Sequence, residues 1–319
     1  MSDKNSSSKG KPIFGKDKNP SNILPKKLTL DSRIQFRCHP GVSCFTACCG
    51  NINIILTPYD ILILKKRIGI DSDEFLLRYT KPVYLEKTDM PGVQLHLTEE
   101  GRCPFVTEEG CLVYSDRPSA CRYYPVGLAN FYERGDDTEG KEAEQFFFMV
   151  KEDHCKGHYE DKNWTIREWR ADQGTDVRDD INRGWMELVM RRKSHGLQAT
   201  LSEQAQKMFF MASTNLEKFR DFIFTSSFLD IYEIDQDTLD KIKDDDIELI
   251  KFSYRYLASS IFGIQDLKIK EEKIKAKAAH MKDSQKEAAK KAEETYLELK
   301  KDYDQMQQEI ESKKANSRK

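Results

Sequence analysis

A chain of 319 residues with a net charge of −2, 33% charged and 38% hydrophobic residues, carries no global field that would draw it to nucleic acid. It also lacks any run near the roughly 20 apolar residues of a membrane-spanning helix, since the nearest stretch, "IELIKFSYRYLASSIFG", is interrupted by charges. Length alone suggests about two domains. The apolar residues are nevertheless dense between Ile34 and Phe262 and sparse outside, which argues for one sizeable core with two polar extensions.

Residues 1–33 begin "MSDKNSSSKGKPIFGKDKNPSN", rich in Ser, Lys, Gly and Asn and without the apolar core of a signal peptide. They read as a disordered leader, and the chain as cytoplasmic. Residues 34–175 read as a small irregular α+β unit. Within it, "LTPYDILILKKRIGIDSDEFLLRYT" predicts a helix capped by Thr57 with Pro58 in its first turn, a turn at Gly69, and a second helix. Two alternating runs around Pro91-Gly92 predict a hairpin with its turn there. The segments "CPFV", "CLVY" and "EQFFFMV" predict further short strands.

Residues 176–265 have helical periodicity and are expected to pack on the first unit. Thr165 caps "IREWRADQG", and residues 176–193 place Ile181, Trp185, Leu188 and Val189 on one face. A third helix starts at Ser202 and carries Phe209, Phe210, Leu216, Phe219, Phe222 and Ile223, and a fourth spans residues 237–261. Residues 266–319 are Lys, Glu, Ala and Gln without Pro or Gly from residue 268 onward, which favours a long helix. Its narrow apolar seam through Ile274, Ala278, Met281, Tyr296, Leu299 and Ile310 allows a weak coiled coil and so a protein partner or self-association, against the plain alternative of a solvated helix.

All eight cysteines, Cys38, Cys44, Cys48, Cys49, Cys103, Cys111, Cys121 and Cys155, lie in the first half of the chain, and the apolar helical half has none. Generic small hydrophobes would not segregate in this way. A disulfide framework belongs to short secreted domains. Metal or cluster ligation is the remaining reason to crowd thiols. A single structural zinc wants four thiolates, usually from two CxxC knuckles, and no CxxC occurs. The first four cysteines are instead separated by five, three and zero residues. Adjacent Cys48 and Cys49 serve one mononuclear ion awkwardly, so the spacing leans toward an iron-sulfur or dinuclear site, with zinc as the alternative. Arg37, Arg102, Arg117 and Arg122 stand near cysteines in the sequence and would offset thiolate charge, although each alone also reads as surface arginine. Gly50 and Gly110 allow the backbone to approach sulfur. His39, His96 and His154 are reserve ligands.

"FRCHPGVSCFTACCGNINIILTPYDILIL", "CPFV" and "GCLVYSDRPSACRYYPV" together resemble the YkgJ-like cysteine-cluster family of zinc- or iron-chelating domains. The resemblance covers about residues 36–173. It implies ligand positions at Cys44, Cys48, Cys49, Cys103, Cys111 and Cys121, with Asp60, Tyr114, Arg117, Pro118, Arg122 and Pro125 as companions. Cys38 stands at a longer gap than the tight Cys-x-x-Cys of many members, and Cys155 resembles the late cysteine of longer ones. A similar cysteine set in flagellin lysine N-methylases is associated with an iron-sulfur cluster, which favours the cluster by analogy. The expectation is therefore an α+β metal-binding unit in which all eight cysteines are candidate ligands. Asp60, Arg117 and Arg122 support the site, and the cofactor is an iron-sulfur cluster or zinc. Asp60 alternatively serves only to satisfy first-turn amides. No nucleotide loop or catalytic triad is legible, so the sequence leaves enzyme activity open.

Overall fold

The computed structural model describes residues 24, 26–85, 88, 90–131, 144–194, 201–273 and the single positions 290, 291, 295 and 300. The expected coiled-coil seam and most of the leader lie outside these residues. The fold is α+β, with short strands in small sheets followed by packed helices. By its contacts the chain divides into two units, Met1–Thr225 with Asp235–Asp266, and Ser226–Ile234 with Leu267–Lys319.

In the first unit the elements run β1 (Arg33–Gln35), β2 (Ile55–Leu56), α1 (Pro58–Ile68), α2 (Ser72–Tyr79), β3 (Thr80–Leu85), β4 (Met90–Leu95), β5 (Val106–Thr107), β6 (Gly110–Cys111), α3 (Ser119–Tyr123), β7 (Val126–Phe131), β8 (Glu144–Met149), β9 (Asn163–Thr165), α4 (Ile166–Gln173), α5 (Thr175–Ser194), α6 (Glu203–Thr214) and α7 (Leu216–Thr225). In the second unit, α8 (Phe228–Ile231) leads into β10 (Tyr232–Glu233). The first unit resumes with α9 (Gln236–Asp244) and α10 (Asp246–Phe262), and β11 (Lys268–Ile269) pairs antiparallel with β10. Within the second unit the buried Phe228 ring lies 4.7 Å from Tyr232.

The helix starts follow the caps read in the sequence. Thr57 Oγ1 accepts from the Asp60 amide at 3.1 Å and Asp60 Oδ2 accepts from the Thr57 amide at 3.2 Å, a reciprocal capping box. Thr165 and Glu168 repeat it at α4. Two long helices expected from periodicity are each broken. Asn215 leaves helical geometry between α6 and α7, and its Oδ1 accepts from the Lys218 amide at 3.0 Å to start the second piece. Asp245 does the same between α9 and α10 by accepting from the Ile247 and Glu248 amides. Apolar spacing continues across both breaks, so periodicity alone does not register them.

The hairpin differs from its expected register. Pro91 and Gly92 are not its turn but lie in β4, opposite Tyr84 and Val83 of β3. The sheet order is β2-β4-β3, and β2 reaches only Val93 and Gln94. Pro91 thus sits where β4 has one neighbour, as a residue without an N–H requires.

Two apolar clusters position the cysteine loops. One gathers Ile34, Phe36, Val126, Phe147, Cys155, Ile166 and Trp169, with Cys44 and Tyr124 packed against it. The Phe36 ring meets Tyr124, His158 and Trp169 edge-on at 5.9, 5.2 and 5.5 Å. The other gathers Leu56, Ile61, Leu64, Phe75, Val93, Phe105 and Val113, with Cys103 and Cys111 packed against it. Behind them α10 packs on α5 and α6, and α6 on β4. A Cβ on Gly184 of α5 would stand 2.7 Å from Tyr254 Cδ2 and 3.0 Å from its Cβ, so the crossing with α10 depends on that missing atom.

Asp60 ties the helical frame to the cysteine loops. Its carboxylate is fully buried and accepts from the Ser119 amide at 2.9 Å, Ser119 Oγ at 2.8 Å and Arg178 NH1 at 3.5 Å. Burial pushes its carboxyl above the ordinary carboxylate range against the pull of those hydrogen bonds. Asp60→Ala leaves Arg178 buried without its carboxylate and is expected to lower stability by about 3–5 kcal/mol, read from the midpoint of urea unfolding. Gly184→Ala gains about 1 kcal/mol of helix propensity but forces Tyr254 aside at about 1–3 kcal/mol. The same unfolding curve is expected to show net destabilisation.

Candidate metal centre

The cysteine loops have little regular structure of their own, and each is tied to a neighbour by backbone hydrogen bonds. β1 pairs antiparallel with β9, and the Arg37 amide donates to Gly157 O at 3.0 Å. A Cβ on Gly157 would meet both Arg37 O and Phe36 Cε2 at 2.8 Å, so glycine is what lets the two segments close. This contact sets Cys38 beside the loop of Cys155. Cys44 is held to the same loop, its Sγ accepting from the Lys156 amide at 3.0 Å.

From there the chain winds through consecutive turns into a 3₁₀ turn, Ala47–Cys49. Thr46 and Asn51 flank this turn with φ of 63° and 52°. A β-branched residue in left-handed backbone costs about 1–3 kcal/mol and persists only where its surroundings hold it. Here Arg102 NH2 donates to Thr46 Oγ1 at 3.3 Å, and the Asn51 amide donates to Gly101 O at 2.8 Å. The Cys103 amide donates to Cys49 O at 2.8 Å, which joins the cysteine pair to the third loop. That loop continues into the β5–β6 hairpin, where Cys111 lies opposite Val106. Cys121 follows on α3, whose first residue Ser119 is the one gripped by Asp60.

All eight cysteines are free thiols. Three of them, Cys103, Cys111 and Cys155, accept hydrogen bonds from the amides two residues on, those of Phe105, Val113 and Gly157. Such N–H groups stabilise a thiolate and aim it. Opposing them, burial raises these same thiols and pushes Cys121 up to about 12. Cys38 is pushed up to about 11 by burial and then by the nearby charges of Cys48, Cys44 and Cys155. The adjacent Cys48 and Cys49 thiols act on each other more than burial does, which raises Cys48 and lowers Cys49. Without a cation Cys38 and Cys121 keep their protons at neutral pH.

The structure brings together all eight sequence-predicted cysteines, each close enough to feel the charge of others in the set. Among the described residues no three His, Cys, Asp or Glu side chains already stand in a group able to hold an ion. The set fits a thiophilic metal in donor chemistry and in its amide-to-sulfur bonds, and it is gathered without being closed.

Of the supporting residues, Arg117 stacks over the Tyr114 ring at 4.1 Å and brings positive charge to Cys38, Cys111 and Cys121. Its Nε is buried without a hydrogen-bond partner. Arg122 turns from the sulfurs to backbone carbonyls, donating to Gln173 O at 2.6 Å, Arg117 O at 3.3 Å and Ser115 O. It braces the loop between Cys111 and Cys121. Asp60 acts through Ser119, as above. Arg102 lowers Cys103 as well as holding Thr46.

The reserve histidines are engaged or exposed. His39 pairs with Glu160 at 2.9 Å, His154 with Glu152 at 3.4 Å, and His96 is exposed. The sequence reading missed two residues beside the Cys155 loop. Tyr124 Oη is buried next to the Cys155 thiol without a hydrogen bond of good geometry, and burial and that thiol push its phenol up. His158 Nε2 is buried without a partner. Its signal was the knuckle-like spacing of "CKGH".

No helix among the described residues is long and apolar enough to cross a membrane. No curated protein and no solved structure matches the chain. Residues 37–156, the span that holds every cysteine, match the family model CxxCxxCC, described as a "Putative zinc- or iron-chelating domain", which agrees with the YkgJ-like resemblance of the motif.

Proposed function

We propose that the cysteine-cluster domain holds an iron-sulfur centre through its thiolates and serves a redox or protein-modifying role. The observation that carries this reading is the adjacent Cys48–Cys49 pair on one 3₁₀ turn, with six further thiols on the loops around it. One tetrahedral ion uses four sulfurs, whereas a cluster offers several irons as attachment points. The amides of Phe105, Val113, Gly157 and Lys156 that point at sulfur supply the hydrogen bonds that tune such a centre. Arg117 and Arg102 offset the negative charge that four thiolates bring. Bound there, an iron-sulfur centre supplies one-electron transfer. The chain's own part is to gather the thiols, donate to their sulfurs and brace the loops through Arg122 and Asp60. The Lys- and Glu-rich tail adds a surface for a protein partner or a second copy of the chain.

The protein purified without oxygen is expected to be brown and to contain iron and acid-labile sulfide. Colourless protein with zinc would replace this reading by a structural zinc module, and protein free of both metals would remove the metal altogether. A ligand present at 1,000 times its dissociation constant stabilises the fold by about 4 kcal/mol. Removing the metal is therefore expected to lower the unfolding midpoint and to open residues 37–56 and 98–125 to limited proteolysis, while far-UV circular dichroism of the helices changes little.

A further inference from the structure

The thiols do not surround one point evenly. Cys44 and Cys155 pack against the cluster built on Phe36 and Trp169, joined by the Lys156 amide on Cys44 Sγ. Cys38 enters the same side, because the preceding Arg37 is bonded to Gly157, two residues past Cys155. Cys103 and Cys111 pack against the other cluster, built on Leu64, Phe75 and Phe105. Cys121 belongs there too, since Asp60 of α1 anchors its helix through Ser119. Between the two sides lies the 3₁₀ turn, whose Cys49 carbonyl is bonded to the Cys103 amide.

In a 3₁₀ turn successive side chains start about 120° apart around the axis, so neighbours in sequence face different sides. Charge proximity sorts the thiols other than Cys48 in the same way. Cys38 responds to Cys44, Cys48 and Cys155, and Cys155 to Cys44 and Cys48. Cys49 responds to Cys103, Cys111 and Cys121, and Cys121 to Cys103 and Cys111. Cys48, at the junction, also lies within reach of Cys103 and Cys111.

We infer that the domain builds two metal centres that meet at the Cys48–Cys49 peptide, one from Cys38, Cys44, Cys48 and Cys155 and the other from Cys49, Cys103, Cys111 and Cys121. The inference rests on metal binding by this domain and is independent of whether the native metal is iron or zinc. Each set supplies the four thiolates of a complete tetrahedral thiolate site, and each thiol gives up its proton to solvent as it takes the metal. Cys48 and Cys49 then serve opposite sides of the turn.

Cobalt(II) added anaerobically to the reduced, metal-free full chain counts such sites by the absorption of tetrahedral thiolate cobalt. The unaltered chain is expected to saturate at two cobalt ions. Cys155→Ser and Cys121→Ser are each expected to saturate at one, with the double variant losing the tetrahedral signal. Cys44→Ser and Cys111→Ser replace either single variant whose circular dichroism shows it unfolded. Saturation of the unaltered chain at one ion overturns the division, and so does a folded single variant that keeps full capacity or loses all of it. An unaltered chain that takes no cobalt fails at the earlier step, as a metal-binding domain, and the division falls with it.

Discussion

The eight thiols of this domain are crowded where negative charge is costly. Burial lifts Cys38 and Cys121 to about 11 and 12, and any thiolate that forms raises the cost of the next one beside it. Nearby arginines and amide N–H groups lower that cost, but at Cys38 and Cys121 burial outweighs them. A divalent cation or a cluster of iron ions removes the conflict in one step, because it takes the protons' place and neutralises the thiolates together. The rest of the cysteine unit answers to this requirement. Its loops must hold sulfurs close against that cost, and they do so with backbone ties instead of extended sheets.

Sheets of two or three very short strands are marginal by themselves, and the sheets around the cysteines are of that kind. They persist because each leans on one of two apolar clusters, and those clusters are completed by helices that come later in the chain. Trp169 of α4 closes the cluster behind Cys44 and Cys155, while Phe210 of α6 packs on the one behind Cys103 and Cys111. The buried Asp60 links the same layers by hydrogen bonds, with Arg178 of α5 on one side and Ser119 of the Cys121 helix on the other. The late helices are thus part of the metal unit's foundation, and a chain cut at the end of the cysteine-rich segment would lose Phe210 and Arg178.

Features whose cause lies within four or five residues were readable in advance. Thr57 with Asp60, Thr165 with Glu168 and the left-handed Gly69 each announce a helix end through a local bond. The cysteine set was legible because thiols are chemically marked. The breaks at Asn215 and Asp245 were missed because the apolar pattern runs on across them and only the side-chain caps interrupt it. The Pro-Gly pair misled because its placement in β4 depends on how far β2 extends, a pairing across more than 30 residues. The second role of Asp60 was invisible for the same reason: its partner Ser119 is 59 residues away, and nothing local distinguishes a cap that also reaches across the core.

The left-handed Thr46 and Asn51 show what the fold spends its rigidity on. An extended chain from Cys44 to Cys49 would carry its thiols away from both clusters. The turn-rich path returns it within six residues, at the cost of two unfavourable backbone conformations. That strain is held by contacts from a different loop, Arg102 on Thr46 and Gly101 on Asn51. The loop that supplies Cys103 therefore also enforces the shape that presents Cys48 and Cys49. Loading either side fixes the turn, and fixing the turn presents the neighbouring cysteine to the other side. Two ligand sets joined by one peptide bond are coupled through its backbone even where they share no sulfur.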